Sequence, residues 1–480
     1  MRLQHPAAAV LDRRLTLDPD IRAITAEELA GEEAWFVGGT IRDELLGRPT
    51  GDVDVVLTGD ARRAARAVAK RLGAPMFPLS EEFGTWRVTG DGWNVDISPL
   101  HGASIGDDLA IRDLALNAIA QPVAGGALID PHGGAADIER RVLRMISADA
   151  FDSDPLRTLR VVRLSAELDF TVDEQTAAVC GTYAADLHRV AAERVFAELS
   201  RIVASPRARH GIEQLDEFGL LSAVLPEMAA LKGLEQNRYH HLDAFQHTLL
   251  VLDHAIELGD GVAAVVPDLE TADAQAIDSW LQMTLADGVD RSHALRWGAL
   301  LHDVAKPLTQ ARSDDGTVLG FPDHAARGAE LAHDIMRRLR SSERLAEHVG
   351  GLARMHLGLG FLVHADPLDD RAIYRYLKAC DPLHIDVSLL SIADRLATGG
   401  HKAEVSIERH MAVAMRVLPR ALEWSDYAKQ QALVRGDELA RALGIEKGPR
   451  LGDLLAAIDE ARYAGEVSDA AAAIDLARTL

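Results

Sequence analysis

GGTIRDELLGRPTGDVDVV, residues 38 to 56, follows the strand-like run AWFV (34 to 37) and carries a helix-like segment into a second strand-like run, DVDVVL (52 to 57). A glycine pair between a strand and a helix leaves backbone N–H groups free at a helix start, where a phosphate is accommodated. On its own such a pair is a turn. Asp52 and Asp54 stand two apart in the second run, so both carboxylates leave the same face of a strand. Like charges placed that way repel unless a divalent cation lies between them and a further group. Asp96, in the apolar run WNVDIS (93 to 98), offers a third oxygen ligand from a neighbouring strand. Three carboxylates holding two Mg²⁺ ions suit phosphoryl transfer, in which a hydroxyl is activated and a pyrophosphate leaving group is neutralised. A lone DxD pair is otherwise read as solvated or capping aspartates.

Outward from this stretch, TWRVT (85 to 89) and WNVDIS flank the turn dipeptide Asp91-Gly92, and residues 60 to 72 form an Arg/Ala-rich helical run. LNAIAQ (116 to 121) and ALID (127 to 130), on either side of Gly125-Gly126, read as a second strand pair. From about residue 135 strand signals fade and apolar residues recur at spacings of three and four. The fold class is therefore α+β, a small mixed sheet followed by helical domains, with breaks near 145, 220 and 405. Residues 256 to 290, acidic and holding Gly, Pro and Asp, read as an exposed insertion.

At 480 residues, 48% of them hydrophobic, the chain has material for several cores in series. Cys180 and Cys380 make no disulfide framework and no CxxC pattern, and read as buried apolar residues in a reducing cytosol. There is no signal-peptide pattern at the N-terminus and no run of membrane-spanning length, so a cytoplasmic location without membrane partners is expected. The net charge of −23 opposes a nucleic-acid partner, since phosphate binding needs local positive potential. Residues 139 to 209, however, hold 11 arginines against 11 acids, a neutral stretch where a basic face can form.

The order Gly38-Gly39, Arg42, Asp43, Asp52, Asp54 resembles the GGxVRDxLLGxxxxDxD motif of the class II tRNA nucleotidyltransferase and poly(A) polymerase family. The resemblance continues through DDLAIRDLALNAIA (107 to 120), LIDPHGGAADIERRVLR (128 to 144), SDPLRTLRVVRL (153 to 164) and AERVFAEL (192 to 199), covering about residues 34 to 235. It implies a polymerase-β-like catalytic domain, Mg²⁺ at Asp52 and Asp54 with Asp96, and nucleotide binding by Gly38, Gly39, Arg42, Arg112, Asp113, Asn117, Asp154, Arg157, Arg160 and Arg163. Arg112 and Asp113 match the pair that engages the ribose and phosphates. Asp154 and Arg157 match the residues that stand in for a template by pairing with the base edge of CTP or ATP, whose exocyclic amine and ring acceptor they complement. Glu193, Arg194 and Glu198 match a helix that braces the pocket. The chain departs from the family at Ile111, Ala115 and Ser153, where Arg, Thr and an acid are usual. The interval from Asp96 to Asp108 is also short, as in members that stop after two cytidines and leave the terminal A to a separate enzyme.

His302-Asp303 lies in the apolar run ALLHDVAKP (299 to 307), where an adjacent imidazole and carboxylate are costly without a partner. His247, His324, His356 and Asp394 lie in other helical runs, and such a set supplies mixed nitrogen and oxygen ligands for one or two divalent metals. This resembles the HD phosphohydrolase domain. The resemblance implies His247, His302, Asp303 and Asp394 as metal ligands, Lys306 as a phosphate counter-ion, and a cyclic phosphate or 2′-phosphate on tRNA ends as substrate. His240 and His241 lie close to the first ligand in sequence, and whether they join it is open. The tail, with Gly448-Pro449 and Gly452 in a GPxxGxLL element, resembles the family's tRNA-contacting or packing tail.

Five segments follow: an N-terminal extension (1–24), a nucleotidyltransferase domain (25–145), a helical nucleotide-recognition and RNA-binding neck (146–220), an HD domain (221–404) and a helical tail (405–480). The expected activity is template-independent addition of CCA to tRNA from CTP and ATP, with CC addition as the alternative. A poly(A) polymerase is disfavoured because the chain does not end in a basic extension. An HD phosphohydrolase with a merely RNA-binding N-terminal half, or a noncatalytic tRNA-binding protein, is opposed by the intact Gly38, Gly39, Asp52 and Asp54.

Overall fold

A computed structural model describes residues 20–49, 51–80, 84–236, 242–365, 367–399 and 403–480. His240 and His241 lie outside them. The chain divides into two compact units, one ending at Val190 and one running from Ala191 to Leu480.

The first unit is built on six strands, β1 (Ala34–Val37), β2 (Asp52–Leu57), β3 (Met76–Ser80), β4 (Thr85–Gly90), β5 (Trp93–Pro99) and β6 (Ala120–Pro122). Their order is β3-β4-β5-β2-β1-β6, with β2 and β5 parallel and the other pairs antiparallel, so the sheet is mixed. Alternation buries Val53, Val55, Val88, Val95 and Ile97. The helix Ala61–Leu72 starts where the Asp60 carboxylate accepts from Arg63 N–H (3.0 Å) and ends at left-handed Gly73, and its Ala61, Ala64, Ala65 and Val68 stripe is buried on β4 and β5. LNAIAQ is strand only at its end, because Ala115–Asn117 makes a 3₁₀ turn and Ala120 bridges Ile129. That turn is fixed by Gly134, where a Cβ would stand 2.1 Å from the Ala115 carbonyl oxygen. Helix Arg157–Leu168 is buried along most of its length, beside the parallel pair Val142–Leu143 and Thr171–Val172.

Among its described residues the second unit is helical apart from two short hairpins, Thr284–Ala286 with Val289–Asp290 and Ala311–Arg312 with Val318–Gly320. Helices Ala244–Asp260, Arg291–Leu301, Glu343–Met355 and His384–Leu396 pack on one another. Gly298 makes room for Leu352 at this crossing. Residues 434–477 contribute a small core of their own, from Leu439, Leu451, Leu454 and Ile458. The stretch 256–290 is folded rather than an exposed insertion. Its helix Thr271–Leu281 buries Ala274, Ile277 and Leu281 at spacings of three and four, and Trp280 Nε1 and Arg291 both donate to the buried Asp386 (3.1 and 2.7 Å). The acidic residues of the surrounding stretch hide the stripe in the sequence. Both cysteines are buried, and burial pushes their thiols up to about 12.

Arg296, 5% exposed, closes the C-terminus of helix Ala192–Ala204 by donating from one nitrogen toward the carbonyls of Val203, Ala204 and Ser205 (3.2, 2.9 and 3.1 Å). Arg296→Met is expected to take this donor from the Val203 and Ala204 carbonyls, Ser205 keeping Ala208 N–H, and to cost about 2–3 kcal/mol in urea unfolding of this unit. An unchanged midpoint would show that the cap contributes nothing.

Candidate active sites

In β2 and β5, Asp54 stands opposite Asp96 and Asp52 opposite Asn94, so the three carboxylates share one face. Thr40 sits between the glycine pair and this face, its hydroxyl accepting from Asp54 N–H (2.6 Å) and lying 3.4 Å from the Asp52 carbonyl. Gly38 takes φ 64°, a left-handed value that favours glycine, and a Cβ there would lie 3.3 Å from Asp54 Oδ2. A Cβ on Gly39 would lie 3.4 Å from the same oxygen, so the two glycines let the backbone lie against the carboxylate. Burial and the charge of Asp96 push the Asp54 carboxyl up to about 6, with Asp52 adding to the rise and Arg112 and Arg42 opposing it. Carboxylates crowded in this way repel one another, which is costly for the folded chain alone and suited to a hard divalent cation.

Two side chains the sequence reading passed over complete this face. Arg87 holds both Asp96 oxygens at 2.7 Å, and Asn94 Nδ2 donates to Asp52 Oδ1 at 2.9 Å. The nucleotide candidates adjoin them. Arg42 forks onto Asp43 (2.9 and 2.8 Å) and donates its remaining nitrogen to Asn117 Oδ1 (2.9 Å). Asp113, 5% exposed, accepts from Asn117 Nδ2 (3.1 Å) and from Arg160 Nε (2.8 Å). Burial alone would raise the Asp113 carboxyl, but the Arg160 guanidinium and the Asn117 amide hold it well below the usual carboxylate range. Arg157 donates to the carbonyl of Ile111 (2.9 Å), the position at which the motif departs from an arginine. Asp154 caps the short helix Asp149–Ser153 and accepts from Leu156 N–H (3.3 Å). Arg163 is buried on the helix of Arg157 and pairs with Glu167 (3.5 Å). In the second unit, Glu193 and Arg194 are exposed and Glu198 is buried on helix Ala192–Ala204.

The second constellation lies wholly in that second unit. His247 Nε2 is 3.0 Å from Asp394 Oδ1 and 3.8 Å from Asp303 Oδ2, and His302 Nε2 is 3.0 Å from Asp303 Oδ2 and 3.9 Å from Asp394 Oδ1. His302, His324 and His356 each turn Nδ1 toward a backbone carbonyl three residues back (2.8, 2.7 and 2.7 Å). Those contacts select the tautomer whose Nε2 lone pair faces inward, as ligation requires. His247, His302 and Asp303 form one group of close ligand atoms, and Asp303, His324 and His356 a second. Asp303 Oδ1 is buried without a hydrogen bond, a cost that a cation would remove. The donor set fits a divalent metal of mixed nitrogen and oxygen preference. Burial opposes charge on His302 and Asp303, but each holds the other charged, with the imidazole raised and the carboxyl well below its ordinary value. Burial and His302 bring His356 down to about 4. Lys306 is not placed as a free phosphate counter-ion: it is 4% exposed, 2.6 Å from Asp303 Oδ2, and donates to Gln236 Oε1 at 2.6 Å. Its position three residues after Asp303 turns it back onto that carboxylate.

Among known protein families, residues 34–144 match the one described as Poly A polymerase head domain, 169–232 the probable RNA and SrmB-binding site of polymerase A, and 244–399 the HD domain. The chain is 38% identical to an A-adding tRNA nucleotidyltransferase of Deinococcus radiodurans, over 90% of this chain and 92% of that one. It is 34% identical to a CC-adding tRNA nucleotidyltransferase of Thermus thermophilus, over 91% of each. It is also 34% identical to a multifunctional CCA protein of Halorhodospira halophila, over 68% of this chain and 74% of that one. Among solved structures, an apo CCA-adding enzyme shares the fold with a TM-score of 0.61 at 18% identity, covering 96% of this chain and 93% of the other. Among the described residues, no helix is long and apolar enough to cross a membrane.

Proposed function

The chain belongs to the tRNA nucleotidyltransferase family, and from that membership we propose that it extends the 3′ end of tRNA with C and A residues from CTP and ATP, in the cytoplasm and without a nucleic-acid template. The observation that carries this is the face shared by Asp52, Asp54 and Asp96, laid against Gly38 and Gly39. Asp52 and Asp54 would hold Mg²⁺, which would supply Lewis acidity for the tRNA 3′ hydroxyl and for the charge of the pyrophosphate leaving group. The protein's own groups do the positioning. Arg42, Arg112 and Asn117 surround the site from the glycine side, ready to bind triphosphate and ribose. Asp113 locks Asn117 to Arg160, and so holds that subsite against the helix bearing Arg157. Asp154 and Arg157 present an acceptor and a donor fork to the base, the complement of the amine and ring nitrogen that cytosine and adenine share. Asp154→Ala is expected to bring UTP and GTP incorporation within about tenfold of CTP, roughly the value of one charge-assisted hydrogen bond. Unchanged nucleotide choice in single-nucleotide primer extension sinks the template role.

A second reading is that the enzyme adds only part of the terminus. Two observations favour it. Relatives aligned over about nine-tenths of the chain bear A-adding and CC-adding names, and the connection from Asp96 to Asp108 is short and tied down by hydrogen bonds. Purified protein with Mg²⁺ and tRNA transcripts ending at the discriminator base or after CC, supplied with CTP and ATP separately and together, separates the readings by product length. Complete CCA supports the first. Products halting at CC, or A added only to the CC-ending transcript, support the second and require a complementary enzyme. No extension of either transcript defeats both.

The HD segment is proposed as a metal phosphohydrolase acting on phosphate esters at tRNA ends, with His247, His302, Asp303 and Asp394 as ligands and His324 and His356 alongside.

A further inference from the structure

The connection from Leu100 to Ser104 leaves β5, the strand of Asp96, and enters helix Ile105–Ala110. Two carboxylates pin it. Asp107 Oδ2 accepts from Ala103 N–H (2.9 Å) and from the Ser104 hydroxyl (3.0 Å). Asp108 is 2% exposed, and its two oxygens serve different partners. Oδ2 accepts from the backbone N–H of His101 (3.2 Å) and lies 3.3 Å from His101 Nδ1. Oδ1 accepts from Arg112 Nε and Nη2 (3.1 and 2.8 Å). With that edge of the guanidinium engaged, Nη1 is left for the Asn117 carbonyl (3.5 Å) and lies 3.0 Å from where a Cβ on Gly38 would stand.

A carboxylate turns readily about its terminal torsion, so one held oxygen does not fix the other. Two held oxygens do. We propose that His101 is a positioning residue for nucleotide binding, gripping Oδ2 of Asp108 so that Oδ1 aims Nη1 of Arg112 at the glycine pair. The proposal rests on the reading of Arg112 as a nucleotide contact. The connection is thereby a strut between the strand of Asp96 and the nucleotide-binding arginine. Gly102 permits its shape: φ is +85°, and a Cβ there would fall 2.5 Å from Asp107 Cβ. His101 is 39% exposed at its side chain, so replacing it removes the imidazole's share of the grip, leaving the backbone N–H contact, without opening the core.

Equilibrium binding of CTP and ATP, each with Mg²⁺, to the full chain tests this. His101→Ala is expected to weaken both nucleotides by about three- to tenfold, the share of a charge-assisted hydrogen bond left after the backbone N–H contact is kept. His101→Asn, whose Nδ2 branches from Cγ as Nδ1 of histidine does, restores wild-type affinity. Gly102→Ala weakens binding in the same direction by displacing the strut. In an Arg112→Lys background, which retains charge but loses the fork onto Asp108, His101→Ala adds nothing. The steady-state KM for CTP rises with binding while kcat holds. Wild-type affinity in both His101→Ala and Gly102→Ala, or an equal loss from His101→Ala in the Arg112→Lys background, overturns the proposal. If the wild-type protein binds neither nucleotide, the reading of the Arg112 site fails and takes the strut with it.

Discussion

Asp54→Ala protein is expected to retain its fold and to transfer nucleotide to tRNA at least about 10³-fold more slowly, the rate equivalent of several kcal/mol of metal-borne stabilisation. The carboxylate lies where burial, two like charges and the glycine backbone converge, so no neighbour replaces it. The same placement predicts the opposite effect on stability. An unfolded aspartate titrates near 3.8, and folding raises Asp54 to about 6. Between those values the folded state holds the proton more tightly, so this group's contribution to stability falls as pH rises through the window, and above about pH 6 the full penalty remains. Asp54→Asn removes the penalty. At pH 7.5 without divalent metal the variant is expected to be more stable by about 1–3 kcal/mol, with the advantage gone below about pH 3.8 and diminished by saturating Mg²⁺, which stabilises only the wild type. Thermal melts over pH 3.5 to about 8 with and without Mg²⁺ read all of this. A variant no more stable than wild type at pH 7.5 would mean that the acidic face is not strained.

Asp303→Ala is expected to abolish phosphohydrolase activity and metal retention while leaving nucleotide addition intact, because its ligand set lies in a different compact unit from Asp54. It also removes the partner of a buried ammonium. Among the described residues, Lys306 then keeps Gln236 as its hydrogen-bond acceptor, and the loss is expected to be about 3–5 kcal/mol in the stability of the second unit. The two consequences separate in the double variant. Asp303→Ala with Lys306→Met removes the unpaired charge and should recover most of the stability while recovering neither metal nor hydrolysis. Metal content of the purified proteins, hydrolysis of a 2′,3′-cyclic nucleotide and urea unfolding are the measurements. Full metal content in Asp303→Ala would remove Asp303 from the ligand set.

The placement of the acidic face was legible because it needs only strand alternation and order along the chain. Asp52 and Asp54 had to share a face, and the Asp91-Gly92 turn brought a second strand within reach. Arg87 was legible by the same arithmetic and went unread. Counting back from the turn pairs Gly90 with Trp93 and hence Arg87 with Asp96. The parallel pairing of β2 with β5, which puts Asp96 opposite Asp54, depends on long-range sheet assembly that no local pattern encodes. In the helical half, the His and Asp positions stood out as polar groups on apolar helices, whereas the engagement of Lys306 with Gln236 follows from a tertiary contact 70 residues apart in sequence. The folded state of 256–290 was masked by composition, since its buried apolar positions, Ala274, Ile277 and Leu281 among them, are interspersed with acids, of which Asp278 accepts from Val262 N–H and Asp287 from Ser342 N–H.

Asp113 has a consequence for how such an enzyme changes over generations. One of its oxygens serves Asn117 and the other serves Arg160, on the helix that also carries Arg157. With Asn117 at the sugar and Arg157 at the base, as proposed, discrimination of ribose from deoxyribose and of C or A from G or U would hang on a single electrostatic joint. A lineage that retunes its choice of base by shifting this helix also disturbs its choice of sugar, so new base preferences should arise through exchanges at Asp154 and Arg157 that leave the joint untouched.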